Sequence, residues 1–109
     1  LVLIRKAVVW VDFGYNIGTE FGGRHPAIIL KNLKDSLIVI PLSSQEPKSM
    51  DYNVKVDKVY GYPLMPRWVN VTRITQVSLS RVHFEKIGDV KPCILNQISE
   101  KLKNCGIII

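Results

Sequence analysis

The chain has 109 residues, 47% hydrophobic and 22% charged, with 15 Lys and Arg against 9 Asp and Glu for a formal net charge of +6. That balance describes a single folded domain over residues 1–109 and excludes a disordered chain. The positive excess favours a polyanionic partner, either nucleic acid or an acidic protein tail, and no apolar run approaches the ~20 residues that cross a bilayer, so no membrane partner is expected.

In chain order, Ala7 to Phe13 (AVVWVDF) is rich in β-branched and aromatic residues and reads as a first strand. Gly14 to Gly23 holds four glycines and an asparagine, the composition of a long connecting loop, and loops of that length are functional or disordered. Ala27 to Leu30 is a second strand. Asn32 to Asp35 is a turn, and Ser36 to Leu42 (SLIVIPL) is the most apolar strand and therefore central. Its Pro41 removes a ladder donor, so pairing should loosen there and the chain should leave the sheet. Ser43 to Asp51 is polar and loop-like. Tyr52 to Asp57 (YNVKVD) alternates as a half-buried strand does, and Gly61 to Arg67 is irregular. Trp68 to Leu79 carries two short strands around a bend near Thr72 and Arg73. Pro92 to Asn104 places Ile94, Leu95, Ile98 and Leu102 on one helical face, with Pro92 opening the helix and Gly106 closing it. Five to seven short strands and one C-terminal helix make a strongly curved antiparallel sheet, a small barrel. The terminal Gly106-Ile107-Ile108-Ile109 is apolar enough to pack on the sheet or on a second subunit.

On that helix Cys93 and Cys105 stand roughly 18 Å apart, beyond the about 7 Å between α-carbons that a disulfide spans. Reduced thiols, with no recognisable signal peptide, point to the cytosol. The chain begins on Leu1 rather than Met, which leaves a preceding segment open.

Much chemistry is excluded by residue type. The two histidines, His25 and His83, have no metal-ligand spacing around them, the carboxylates do not cluster in sequence, and no phosphate-binding glycine motif occurs, so neither a metal nor a cofactor is expected. What remains is Arg24 and His25 before Pro26, where the glycine-rich stretch meets the second strand, and Ser43, Ser44 and Gln45 just past the third. If those strands form a hairpin, both sets lie at its open end. A guanidinium beside hydroxyl donors cradles phosphate. RNA cleavage needs no metal, because the 2′-hydroxyl is the nucleophile and the protein need only move protons and stabilise the phosphorane. A histidine, ordinarily with a pKa of about 6.5, serves as acid or base. Ordinary turn chemistry explains Ser43 and Ser44 equally well.

Among the aromatics, Trp10 reads as core, while Phe21 either stacks on a base or covers the barrel mouth. Tyr60, Tyr62 and Trp68 form a satellite cluster or an interface. Arg67, Arg73 and Arg81 line a basic face or are scattered surface charge. Tyr15, Asn16, Glu20, Phe21, Ser44, Gln45 and Arg73 are the candidate RNA contacts.

The pattern VWVDF, then G-x-E-x-G-G, a basic residue and PAIIL, resembles the N-terminal signature of MazF/PemK-type toxins of type II toxin-antitoxin systems. IVIPLSSQ, YNVKVDKVYGY and ITQVSLSRV, followed by a helix, continue in that family's order, so the resemblance covers nearly the whole chain. It implies a small SH3-like curved antiparallel barrel (the CcdB/MazF/PemK-like fold) and a cytoplasmic homodimer. It also implies an endoribonuclease that cleaves single-stranded RNA without metal, leaving 2′,3′-cyclic phosphate and 5′-hydroxyl ends, restrained by a cognate antitoxin whose acidic tail occupies the RNA groove. By position Ser43 matches the family's hydroxyl residue. The family's arginine stands immediately before the proline, whereas here His25 holds that place and Arg24 comes one residue earlier. Neighbours on a strand point to opposite faces. Three readings follow: His25 has taken over proton transfer, Arg24 reaches the site from a loop, or the enzyme is weakened. Some members also carry an acidic residue where this chain has Thr72, which removes a carboxylate base. The alternative function is a catalytically inactive module on the same fold that grips nucleic acid or an acidic peptide, and a third is a purely structural dimerisation domain.

Overall fold

Among the described residues the chain forms seven strands and one α-helix: β1 (Ala7–Asp12), β2 (Arg24–Asn32), β3 (Ser36–Ser43), β4 (Asn53–Val56), β5 (Arg67–Asn70), β6 (Thr75–Ser78), β7 (Val82–Asp89) and α1 (Pro92–Asn104). The computed structural model describes residues 6–14 and 23–106, with the backbone alone for 84–87. The candidate RNA contacts Tyr15, Asn16, Glu20 and Phe21, and the terminal Ile107, Ile108 and Ile109, lie outside the described residues. The strands form one antiparallel sheet in the order β4-β5-β3-β2-β1-β7, with β6 also paired to β3. A mainly β chain with a C-terminal helix is the architecture the sequence implied.

The β-branched runs of β1, β2 and β3 are apolar on both faces because both faces are covered. Val8, Ile28 and Ile40 pack with Ile94, Leu95, Ile98 and Leu102 of α1 in one cluster. Their strand neighbours Val9, Ala27, Ile29 and Val39 turn the other way and join Val77 and Val82 in a second. The helix buries the four residues that its spacing predicts. Pro92 occupies its first turn, where a missing N–H costs no hydrogen bond, and Gly106 follows its end at φ +80°. The Lys101 ammonium donates to the Met50 carbonyl at 2.8 Å, fastening the helix to the approach to β4. Cys93 and Cys105 are both free thiols.

β3 is central, as its composition predicts: it pairs with β2 on one side and with β6 and β5 on the other. Pro41 behaves partly as expected. The pairing with β2 ends at Ala27↔Pro41, but the strand continues, and Leu42 and Ser43 take Val69 and Trp68 of β5 as partners. The bend expected near Thr72 is the 3-10 turn Val71–Arg73, where the Asn70 side chain accepts the Thr72 N–H.

Two expectations are corrected. β2 starts at Arg24, not Ala27. Pro26 is accommodated because, opposite Trp10, β2 is paired with β1 alone and no N–H is needed on its other edge. Val82–Asp89, assigned no strand from sequence, pairs with β1 as β7; Glu85, Lys86 and Gly88 interrupt its alternation.

At the far end of β7, Tyr60 and Asp89 exchange backbone hydrogen bonds of 2.8 and 3.1 Å. This bridge draws the chain beyond β4 to the β7 edge of an otherwise open, curved sheet. Beside it, a Cβ on Gly88 would lie 2.7 Å from the Tyr60 carbonyl oxygen and 2.7 Å from two Tyr62 ring carbons. Because part of that crowding is backbone, Gly88→Ala is expected to destabilise the fold by about 1–3 kcal/mol, the usual range for overpacking, measurable by urea denaturation. An unchanged midpoint would show that the Tyr60 bridge yields freely.

Candidate active site where two strands diverge

β2 and β3 stop pairing between two prolines. Neither Pro26 nor Pro41 carries an N–H for a ladder, and beyond Ala27↔Pro41 each strand keeps only its other partner, β1 for β2 and β5 for β3. A cavity of about 330 Å³ opens at the split. Arg24, His25 and Pro26 line it from β2, and Leu42, Ser43 and Ser44 from the end of β3. Trp10 and the segment leading into β5, with Tyr62, Pro63, Met65 and Arg67, complete the described wall. The three residues singled out for catalysis, Arg24, His25 and Ser43, thus border one cavity.

Ser43 also borders a second cleft of about 220 Å³, which Gln45 and Arg73 line together with Lys48, Asn70 and Trp68. Of the candidate RNA contacts that are described, Ser44 therefore belongs to the first cavity and Gln45 and Arg73 to the second. Of the three arginines read as a basic face or scattered charge, Arg67 lines the first cavity and Arg73 the second cleft, and Arg81 donates to the Asp12 carbonyl at 3.3 Å.

Arg24 lies within a strand, which removes the reading that places it on a loop. Alternation sets Arg24 and Pro26 on the face of Ile28, and His25 on the face of Ala27 and Ile29. The contacts agree. The Arg24 guanidinium stands 6.0 Å from the centroid of the Trp10 ring, while the half-buried His25 ring lies 6.4 Å from Phe13. Arg24 and His25 thus reach the strand ends from opposite faces. The Ser43 hydroxyl accepts the Gln45 N–H at 3.1 Å, a local turn that orients the oxygen and leaves its proton for donation. Thr72 donates to Asn70 Oδ1 at 2.6 Å and serves the turn.

Sequence reasoning missed the aromatic wall. Trp10, read as core, is only half buried and stacks on Tyr62 with centroids 6.2 Å apart and planes 18° off parallel. The Arg67 guanidinium lies 5.7 Å from the Tyr62 centroid, donates to the Pro63 carbonyl at 3.0 Å and is only 5% exposed. Burial pushes the Tyr62 phenol up to about 12, against the opposing pull of Arg67, and burial lowers the Arg67 pKa from the usual arginine value. Among the described residues two guanidiniums and no carboxylate line this cavity, and no group of three or more His, Cys, Asp or Glu side chains is placed to hold a metal ion. An anion is the ligand such a wall attracts. No helix of the described residues is long and apolar enough to cross a membrane.

The Tyr62 environment is testable by alkaline titration. Because the fold holds this phenol neutral above its ordinary value of 10, its contribution to stability is complete below pH 10 and is lost as pH rises through about 12. Phenolate absorbance should therefore show a late phase near pH 12 that Tyr62→Phe abolishes. The same final phase in that variant would contradict the assignment.

Residues 4–105 match the model of the PemK-like, MazF-like toxins of type II toxin-antitoxin systems. No curated protein matches the chain. Among solved structures, MazF from Deinococcus radiodurans is 21% identical with a TM-score of 0.74, the match covering 93% of each chain. The MazE-MazF structure from the same organism gives 20% identity and a TM-score of 0.71, covering 95% of this chain and 96% of that one. An endoribonuclease in complex with its cognate antitoxin, from a mycobacterial species, is 18% identical with a TM-score of 0.71, covering 97% of each chain. These likenesses establish a shared fold, and with a family model matched over nearly its whole length, the chain belongs to the PemK-like, MazF-like toxin family.

Proposed function

We propose that the chain is a metal-independent endoribonuclease acting on single-stranded RNA, with Arg24, His25 and Ser43 carrying the reaction. The observation behind this reading is their shared position around one cavity, at a point where two strands separate and the described wall holds cations but no carboxylates. Membership of the toxin family, with an endoribonuclease among the solved structures of the same fold, supports it. Arg24 and the Ser43 hydroxyl donate to the non-bridging oxygens of the scissile phosphate as charge develops on the phosphorane. His25 accepts the proton of the 2′-hydroxyl, whose oxygen attacks phosphorus. The bond to the 5′-oxygen breaks, a proton from water replaces it on the leaving group, and the products carry 2′,3′-cyclic phosphate and 5′-hydroxyl ends. Gln45 and Arg73, in the cleft across Ser43, extend the track along which the strand lies. The positive charge of the chain suits RNA and equally the acidic tail of a cognate antitoxin, and a cytoplasmic homodimer is the form in which the domain would work.

A second reading has its own support. Because Arg24 and His25 approach from opposite faces, the same cavity suits a module that binds RNA or an acidic peptide without cutting.

Replacing Arg24 or Ser43 by alanine is expected to lower the cleavage rate 10²–10³-fold, the usual effect of removing one group that stabilises transition-state charge. His25→Ala should cost 10²–10⁴-fold, as loss of a general acid or base does. All three should unfold thermally as the wild-type protein does. Full activity in both Arg24→Ala and His25→Ala would contradict the proposal, whereas wild-type protein that binds RNA and leaves it intact would favour the binding module.

A further inference from the structure

We propose that Arg67 is a second phosphate-binding residue of this cavity, holding a phosphate of the RNA chain other than the scissile one; this rests on the ribonuclease reading of the same site. A guanidinium taken out of water is costly unless a counter-charge meets it. Arg67 is 5% exposed, and among the described residues it has no carboxylate partner. Its recorded contacts are the Pro63 carbonyl at 3.0 Å and the face of Tyr62. An arginine presents five N–H donors in a planar fork, and most of this fork has no protein acceptor among the described residues. The side chain lines the 330 Å³ cavity, so a ligand entering there would supply the missing acceptors.

The arrangement around Arg67 fixes it in place rather than neutralising it. It lies against Tyr62, Tyr62 stacks on Trp10, and Arg24 stands over Trp10. Gly88 leaves Tyr62 the room to sit there. Arg24 and Arg67 thus come from different strands, and each has its own ring. Two guanidiniums at separate stations serve two anionic groups, which selects a phosphodiester chain over a lone phosphate. Arg67 opens β5, one residue before Trp68, the partner of Ser43. The same strand pairing that places the Ser43 hydroxyl therefore also sets the distance to the second cation.

A site of this kind should trade stability for binding. In Arg67→Met, a side chain of similar reach without charge, the free protein should keep or raise its melting temperature, because an uncompensated buried charge has been removed. Affinity for a labelled 2′-O-methyl RNA oligonucleotide, which lacks the nucleophile and so binds without being cut, should fall roughly tenfold or more. The slope of log affinity against log salt should shrink by the share of one phosphate contact. Arg67→Lys, which keeps the charge but not the fork, should retain the wild-type salt slope at intermediate affinity. Inorganic phosphate alone should compete weakly. If both variants bind the oligonucleotide as the wild-type protein does, Arg67 has no such role, whether or not the wild type cleaves RNA. A lowered melting temperature for Arg67→Met together with unchanged affinity would likewise assign Arg67 to structure. If the wild-type protein neither cleaves RNA nor binds the analogue, the ribonuclease reading fails first and this inference with it.

Discussion

Pro26 limits how far β2 and β3 can run together. It lacks the N–H that would continue the ladder toward β3, and their pairing ends one residue short of it, at Ala27↔Pro41. The chain resolves this by exchanging partners. β3 takes up β5, so Leu42 and Ser43 face Val69 and Trp68, while the first residues of β2 stay with β1. The gap between the diverging strands is the cavity. Arg24, His25 and Ser43 border it because they are the residues next in line on strands that can no longer pair. Up to that point the sheet is held by buried valines and isoleucines on both faces.

The second determinant is a stack. Aromatic rings carry negative faces that attract guanidinium groups, and here two rings in contact hold a cation each. The stack gives the cavity an apolar wall against which two guanidiniums lie. Its geometry depends on Gly88, a residue of β7 remote in sequence from Trp10, Tyr62 and the arginines. Fold and site are therefore coupled through a close approach that any side chain at that position would obstruct.

Much of this was legible in the sequence, for reasons that can be named. β-branched runs marked β1 and β3, and Pro92, Gly106 and the spacing of Ile94, Leu95, Ile98 and Leu102 marked the helix, because those signals are local. The order of VWVDF, PAIIL and IVIPLSSQ pointed to the family that the chain belongs to. β7 was illegible because Glu85, Lys86 and Gly88 break its alternation and its partner, β1, lies more than sixty residues away. The strand expected to begin at Ala27 reaches back through Pro26 to Arg24, because one edge of β2 is unpaired there, which only the sheet reveals. The burial of Arg67 and the exposure of Trp10 to the cavity are likewise consequences of register. Four of the residues named for RNA contact, Tyr15, Asn16, Glu20 and Phe21, fall outside the described part of the chain.

The central claim is that the divergence of β2 and β3 creates a site for metal-free phosphodiester cleavage. Its most direct test is the chemistry of the product ends after the purified protein meets a long single-stranded RNA in excess EDTA. The account predicts fragments with 2′,3′-cyclic phosphate and 5′-hydroxyl termini, formed at the same rate with and without the chelator. Fragments with 5′-phosphate ends, or RNA left intact by a correctly folded protein, would contradict it.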